Sequence, residues 1–148
     1  MSQLLSKAER EKLIEALNKG AAREIGAIIQ YSYHHAMAQG LASPEISDLF
    51  EKTAIEEMEH LESFADRIVY LGGTPTTKPT EVKTGGDLKK MVEDDLAIEY
   101  QAISMYKDAI KLAAEIGDTT TRLMFEKILT AEEKHADTWE TILEKRVK

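Results

Sequence analysis

The segments EEMEH at residues 56–60 and EEKH at residues 132–135 decide the fold, because each contains the pattern Glu-x-x-His in a proline-free stretch. Residues three positions apart lie on the same face of an α-helix, so each pair can direct two ligands at one metal ion. A single pair is weak evidence, since glutamate and histidine are common neighbours on helix surfaces. Two pairs at matching positions in the two halves of one chain are much stronger evidence.

An offset of 75 residues relates the second half of the chain to the first. It preserves both Glu-x-x-His pairs, a glutamate 33 residues before each pair, and a tyrosine seven residues after that glutamate. The preserved residues are Glu24, Tyr31, Glu57 and His60 in the first half, and Glu99, Tyr106, Glu132 and His135 in the second. A glutamate from each of two helices and a Glu-x-x-His from each of the other two is the ligand set of di-iron carboxylate bundles.

The surroundings of Glu24 and Glu99 support a buried metal site. Both lie on apolar helical stripes, where a charge is costly unless it is paired or bound to a metal. Four ionised carboxylates would balance two Fe²⁺ ions. The chain has no cysteine, so carboxylate and imidazole must hold any metal, a donor set that suits iron, with manganese and zinc as competitors.

Helical periodicity and turn signals predict four long helices and no strands. Ser6 and Glu9 form a capping-box pattern, Asp87 is a candidate N-cap, and Gly117 follows the third helix. The predicted helices span about 7–39, 44–71, 88–116 and 119–146.

One long connection determines the predicted topology. The segment 72–87 contains four glycines and two prolines, and a loop of this length is explained if it crosses the length of a bundle. We therefore predict an all-α, ferritin-like four-helix bundle, made of two antiparallel hairpins, as a single domain covering residues 1–148.

Charge and hydropathy exclude several classes of partner. The chain has 27 acidic and 19 basic residues, a net charge of −8, which argues against nucleic acid and anionic membranes. No apolar run reaches the roughly 18 residues needed to cross a bilayer, and charged residues precede any signal-peptide core. We expect a cytoplasmic protein.

The chain resembles the bacterioferritins over nearly its whole length. The segments that carry this resemblance are REIGAIIQY (23–31), EEMEHLESFADRIVYLGG (56–73), DDLAIEYQAI (94–103) and EKILTAEEKHADTWE (126–140). The resemblance implies that Glu57 and Glu132 bridge two iron ions per subunit. It implies that the terminal ligands are Glu24, His60, Glu99 and His135. It further implies ferroxidase chemistry, in which O2 or H2O2 takes electrons from Fe(II) and the Fe(III) product is stored.

The resemblance also implies roles for Tyr31 and Met58. Tyr31 would lie near the iron pair as a hydrogen-bond or electron donor, the alternative being a core tyrosine with a satisfied hydroxyl. Met58 projects about 100° away from the metal face and would be an axial ligand of haem b at a two-fold subunit interface. The alternative is an interface methionine without haem, and Ser32 stands where related chains tend to be aromatic. We interpret His34 and His35 as ordinary polar residues.

Assembly and function retain alternatives at this point. We expect a homo-oligomer with a dimer as its building block. Cage-forming bacterioferritins have a short fifth helix, and 13 residues follow His135, so a 24-mer, a dodecamer and a dimer all remain open. A rubrerythrin-like peroxide reductase is a second reading, although the chain lacks cysteine and has Ala102 where that family has an extra glutamate. A non-enzymatic helical interaction bundle is the third.

Overall fold

The computed structural model describes residues 2–147, and within this range four long α-helices follow a short 3-10 helix at Ser2–Leu4. The helices are α1 (Lys7–Met37), α2 (Ser43–Tyr70), α3 (Leu88–Ile116) and α4 (Thr119–Ile142). No strand occurs in residues 2–147, which confirms the all-α fold class. The two end residues of the predicted domain, 1 and 148, lie outside the described residues. No described helix is long and apolar enough to cross a membrane.

Side-chain caps begin α1 and α3 where the sequence predicts them. The Ser6 hydroxyl accepts a hydrogen bond from the backbone N–H of Glu9 at 3.1 Å, and Glu9 accepts one from the Ser6 N–H at 2.8 Å. Asp87 accepts from the N–H of Lys90 at 2.9 Å. These bonds satisfy N–H groups that the first turn of a helix leaves free, so they stabilise both helix starts.

The last helix is shorter than predicted. It ends at Ile142 rather than 146, because Glu144 adopts the left-handed conformation with φ 58°. The N–H of Lys145 then donates to the carbonyl of Glu140 at 2.8 Å, which closes the helix end. The first helix ends at Met37, two residues before the predicted 39, because Ala38 is already extended.

Two apolar layers, one toward each end of the bundle, establish the direction of the helices. The first layer joins Leu13 and Leu17 near the start of α1 to the end of α2 and the end of α3. The second joins the end of α1 to the start of α2 and the start of α3. The start of α4 lies in the first layer and its end lies in the second. Consecutive helices of each hairpin are therefore antiparallel, and α2 and α3 run in the same direction.

The crossover at residues 72–87 spans the bundle along the surface of α1. The side chain of Asn18 bonds the backbone of Thr74 and Thr76, at 3.1 and 2.8 Å. Further along, the Thr80 N–H donates to the Ala22 carbonyl at 3.0 Å. The Lys83 N–H donates to Gln30 at 2.9 Å. The crossover thus connects two helices that run the same way.

The apolar layers repeat the 75-residue offset of the sequence. Their large aromatic residues form pairs that differ by 75 in number: Tyr31 with Tyr106, Phe50 with Phe125, and Phe64 with Trp139. Glu24 lies between Ala21 of the first layer and Ala27 of the second, so the glutamates are at the level where the two layers meet. The bundle therefore encloses four fully buried glutamates between the two apolar layers, namely Glu24, Glu57, Glu99 and Glu132.

We predict that Phe64→Ala lowers the free energy of unfolding by about 3–5 kcal/mol, because it leaves a cavity in the first layer. Phe64 is fully buried, with ring centroids 5.6 Å from Tyr106 and 5.2 Å from Phe125. The measurement is urea denaturation at fixed protein concentration. Leu123→Ala is the control, since Leu123 is 46% exposed, and its effect should stay within about 1 kcal/mol. Equal effects of the two changes would contradict this packing.

Candidate metal centre

The structure brings all six predicted ligand residues together between the apolar layers. The four carboxylates, one from each helix, are fully buried, and both histidines are largely buried. Nδ1 of His60 lies 2.9 Å from Oε1 of Glu57, and Nδ1 of His135 lies 3.1 Å from Oε1 of Glu132. We call these six residues, Glu24, Glu57, His60, Glu99, Glu132 and His135, the carboxylate–histidine centre.

The donor atoms of this centre form two overlapping groups. Each group contains four residues whose donor atoms all lie within 4.8 Å of one another. Glu24 and His60 belong only to the first group, and Glu99 and His135 only to the second. Glu57 and Glu132 belong to both groups, which is the arrangement that two carboxylates bridging a pair of ions require.

Each residue of the centre has one buried polar atom without a hydrogen-bond partner. The six atoms are Oε2 of Glu24, Oε1 of Glu57, Nδ1 of His60, Oε2 of Glu99, Oε1 of Glu132 and Nδ1 of His135. The histidine nitrogens are close to carboxylate oxygens but are not aligned to donate to them. Because a buried polar atom without a partner is costly, six of them converging on one space fit a metal site.

The two tyrosines of the repeat bond Glu99 and Glu24 in a crossed arrangement. Tyr31 on α1 donates to Oε1 of Glu99 on α3 at 2.7 Å, and Tyr106 on α3 donates to Oε1 of Glu24 on α1. Tyr31 also accepts a hydrogen bond from Nε1 of Trp139 at 2.9 Å. Tyr31 is therefore both a satisfied core tyrosine and a neighbour of the centre, and Tyr106 has the same position in the other half.

Glu56 is a residue of the site that sequence reasoning missed. It contacts Nε2 of His135 at 2.5 Å, on the side of the ring away from the other carboxylates. A carboxylate in this position orients the imidazole and keeps Nδ1 directed into the centre. The offset of 75 places Ala131 opposite Glu56, so His60 has no equivalent partner from the repeat. This break in the repeat is the signal that could have identified Glu56.

Arg23 is the second residue that sequence reasoning missed, and it lies within the centre. Its Nη1 contacts Oε2 of both Glu57 and Glu132 and lies 3.2 Å from Glu24. Its Nη2 lies 3.0 Å from Oε1 of Glu99. The guanidinium is thus shared by four carboxylates, and its side chain is buried. At offset 75 its counterpart is Ile98, so the repeat breaks here too.

Burial and charge separate the pKa values of the four glutamates. Burial raises the pKa of Glu57, assisted by the charge of Glu24, and burial raises the pKa of Glu132 well above its ordinary value. Burial opposes ionisation of Glu24 as well, but Arg23, His60 and Tyr106 lower its pKa to about 2. The pKa of Glu99 is lowered in the same way, against burial, by Arg23 first, then by His135 and Tyr31. The two shared carboxylates therefore accept protons most readily.

Both histidines of the centre bind protons tightly. Burial alone would lower the pKa of His60, but Glu24 and Glu57 raise it to about 9. Burial likewise opposes protonation of His135, and Glu99, Glu57 and Glu56 raise its pKa to about 9. Because a metal ligand must be the neutral imidazole, a metal ion that binds these histidines must displace protons.

The remaining candidate residues lie away from the centre. Met58 is on the outer face of α2 and is 47% exposed in the single chain. His35 is partly exposed, with Nδ1 bonded to Ser47 at 2.9 Å, as expected of an ordinary polar residue. His34 also lies outside both donor groups, and its ring is fully buried with Nδ1 2.8 Å from Asp95. Burial raises the pKa of that carboxyl to about 6.

Comparison with known proteins identifies relatives with dinuclear metal sites. The family profile of the ferritin-like domain matches residues 14–147. The bacterioferritin of Desulfovibrio desulfuricans is 38% identical over 134 residues, covering 90% of this chain and 75% of that protein. A solved structure of Desulfovibrio desulfuricans bacterioferritin, with its diiron site in different catalytic states, matches with a TM-score of 0.87 at 37% identity. That match covers 91% of this chain and 80% of the other.

Two further solved structures share the architecture. A ferritin-like, diiron-carboxylate protein from Bacillus anthracis str. Ames has a TM-score of 0.89 at 32% identity, over 94% of this chain and 99% of that one. Rhodobacter capsulatus bacterioferritin has a TM-score of 0.82 at 32% identity, over 93% of this chain and 84% of the other. The latter was solved with a metal-free dinuclear site and a haem iron in a crystallographic special position.

We predict that the metal-free protein loses stability as pH rises from about 6.5 to about 9. His60 and His135 have folded-state pKa values of about 9 against an ordinary 6.5, so their stabilising contribution is complete below pH 6.5 and is lost through pH 9. The measurement is the urea midpoint of chelator-treated protein across this pH range. A His60→Gln/His135→Gln variant should flatten the curve, and a wild-type midpoint that rises with pH would refute the prediction.

Proposed function

This chain belongs to the ferritin-like family and, within it, to the bacterioferritins, and we propose that it is a ferroxidase that oxidises Fe(II) to Fe(III) for iron storage and detoxification. The observation that carries this proposal is the set of six buried, unpartnered donor atoms in the carboxylate–histidine centre. Because the two hairpins share both apolar layers, we propose that the chain forms one ferritin-like domain.

In this proposal the residues of the centre divide into bridging and terminal ligands of two iron ions. Glu57 and Glu132 are the bridging ligands, since they alone belong to both donor groups. Glu24 and His60 complete one position, and Glu99 and His135 complete the other. The diiron site of the Desulfovibrio desulfuricans relative supports iron as the metal, and the oxygen-rich donor set agrees with that choice.

Two Fe(II) ions supply one electron each, which with two protons reduces O2 to H2O2 or H2O2 to two molecules of water. The protein holds the ligands at fixed positions so that little rearrangement accompanies oxidation. Tyr31 and Tyr106 fix the orientation of Glu99 and Glu24 through their hydroxyl groups. Glu56 fixes His135 from the opposite side of its ring.

Access to the centre is proposed from the α2–α4 side. A surface cavity of about 270 Å³ between these helices is lined by Thr53, Glu56, Ala131 and His135, among others. It therefore reaches from solvent to one of the ligand residues, past a carboxylate that attracts cations. The two apolar layers close the other approaches along the bundle axis.

The rubrerythrin-like alternative gains no support from the structure. Ala102 is fully buried in the first apolar layer, so the position offers no additional carboxylate.

A haem site at a subunit interface is the second part of the proposal. Met58 and Ile55 are exposed on α2, and Ile29, Tyr33 and Met37 are exposed at intervals of four on α1. Such apolar stripes on one hairpin are typical of a surface covered by another subunit. A special position lies on a crystallographic symmetry element, and the haem iron of the Rhodobacter capsulatus relative occupies one. We assign Met58 as the axial ligand of haem b, one from each subunit of a two-fold dimer.

We predict that Glu57→Ala and His135→Ala each slow Fe(II) oxidation by roughly 100-fold, because each removes a ligand. Stopped-flow absorbance of the ferric product, after anaerobic Fe(II) loading and mixing with O2 or with H2O2, measures the rate and identifies the preferred oxidant. Glu59→Ala is the matched control, since Glu59 is an exposed carboxylate two residues from Glu57 and should leave the rate unchanged. Wild-type rates in both ligand variants would overturn the ferroxidase assignment.

We predict that Met58→Leu abolishes the bis-methionine Soret spectrum of the haem-reconstituted protein. Leucine preserves the apolar volume of the side chain but has no sulfur to bind iron. Met124→Leu is the control, because Met124 lies on α4 against the first apolar layer, outside the exposed stripes of α1 and α2. A bis-methionine spectrum in the Met58 variant would exclude this ligand. Light scattering of the same samples gives the mass of the assembly.

A further inference from the structure

The carboxylate–histidine centre contains a cation that the ligand pattern does not require. Arg23 is buried on α1, directly before Glu24, and its guanidinium reaches carboxylate oxygens from all four helices. Its Nη2 also lies 3.3 Å from the carbonyl oxygen of Ile98, the residue at its own repeat position. The Arg23 guanidinium therefore lies between the two repeats, in contact with residues of both.

We propose that Arg23 is an internal competitor of the metal ions, which stabilises the metal-free centre and weakens binding of the second ion. This inference rests on the proposed function, because it concerns the same ligand residues. Arg23 thereby sets the affinity and the order of metal binding in this chain.

The positions of the carboxylate oxygens indicate how this competition works. Nη1 of Arg23 contacts Oε2 of Glu57 and Oε2 of Glu132, whereas Oε1 of each has no hydrogen-bond partner. These two Oε1 atoms lie within 3.8 Å of Nδ1 of both histidines. One ion can therefore use the free oxygens while the guanidinium stays. A carboxylate that bridges two ions through both oxygens must release Nη1 first.

Charge opposes the second ion more than the first. With neutral histidines, the four ionised carboxylates and Arg23 together carry −3, so one divalent cation leaves −1 and a second leaves +1. Without the guanidinium the same steps run from −4 through −2 to zero. Since the interaction energy of charges scales with their product, the guanidinium reduces the attraction for each ion by the same amount and leaves only −1 to attract the second. The larger effect on the second ion comes from the two carboxylate oxygens that Nη1 occupies.

The same contacts explain how the metal-free protein tolerates four buried carboxylates. A buried charge without a partner strongly destabilises a folded protein, and the guanidinium supplies a partner to each glutamate. We therefore expect removal of Arg23 to have opposite effects on the two states, destabilising the metal-free protein and favouring the protein with two ions.

The test is anaerobic isothermal titration with Zn(II), which needs no oxidant, on wild type, Arg23→Met and Arg23→Gln in one buffer at one pH. Wild type should bind two ions per chain, the second about ten-fold or more weakly than the first. Both variants should bind the second ion about ten-fold more tightly, with a smaller change for the first, because only the second ion needs the two oxygens that Nη1 occupies. Melting curves should show that metal-free variants unfold below wild type and that Zn(II) raises their melting temperature more.

Lys19→Met is the matched control, because Lys19 lies one turn away on α1 and is an exposed cation paired with Glu15 at 3.4 Å. It removes the same charge outside the centre and should bind Zn(II) as wild type does. If wild type binds two ions and both Arg23 variants bind them with unchanged affinities, Arg23 is not a competitor and the proposed function stands. If none of the proteins binds Zn(II) or anaerobic Fe(II), both the inference and the proposed function fail. The glutamine variant, which keeps a polar side chain, decides the outcome if the methionine variant does not fold.

Discussion

Four carboxylates buried at one level of a helical bundle are the constraint on which the rest of this structure depends. Their mutual repulsion and loss of hydration would destabilise the fold if nothing balanced them. Two protonated histidines, two tyrosine hydroxyls and the Arg23 guanidinium supply that balance without metal. Iron binding replaces part of this balance with metal charge. The residues that hold the metal-free centre together are thus the ones that metal binding must disturb.

The internal repeat accounts for the approximate symmetry of the site, and its breaks account for the asymmetry. Tyr31 bonds Glu99, and Tyr106 bonds Glu24. Aromatic residues at equivalent positions of the repeat lie in the two apolar layers on either side. Arg23 has Ile98 as its counterpart, however, and Glu56 has Ala131. One added cation and one added anion therefore distinguish the two halves. Glu56 makes the two donor groups chemically unequal, because it contacts His135 and His60 has no equivalent partner from the repeat.

Rigid surroundings explain how long helices can place the six side chains of the carboxylate–histidine centre accurately. These residues lie on helices rather than loops, so their positions depend on packing in the two apolar layers. The crossover contributes too, since Gln30 joins it to Asp95, which in turn lies against His34. This buried polar network lies in the half of the bundle opposite Phe64. It ties the crossover to α1 and α3 close to Glu99 of the carboxylate–histidine centre.

Sequence alone determined the helices, the crossover and the six residues of the carboxylate–histidine centre, because each depends on spacing along one chain. Residues three positions apart lie on one face of a helix. The 75-residue offset indicates that the two hairpins are equivalent and form a pseudo-symmetric bundle. Only the tertiary structure decided the roles of Arg23, Glu56 and His34, because their partners are distant in sequence. A guanidinium at the end of a flexible side chain can reach several helices, and periodicity carries no information about which carboxylate it meets. The structure also shows that α4 ends at Ile142, because the backbone of Glu144 is left-handed.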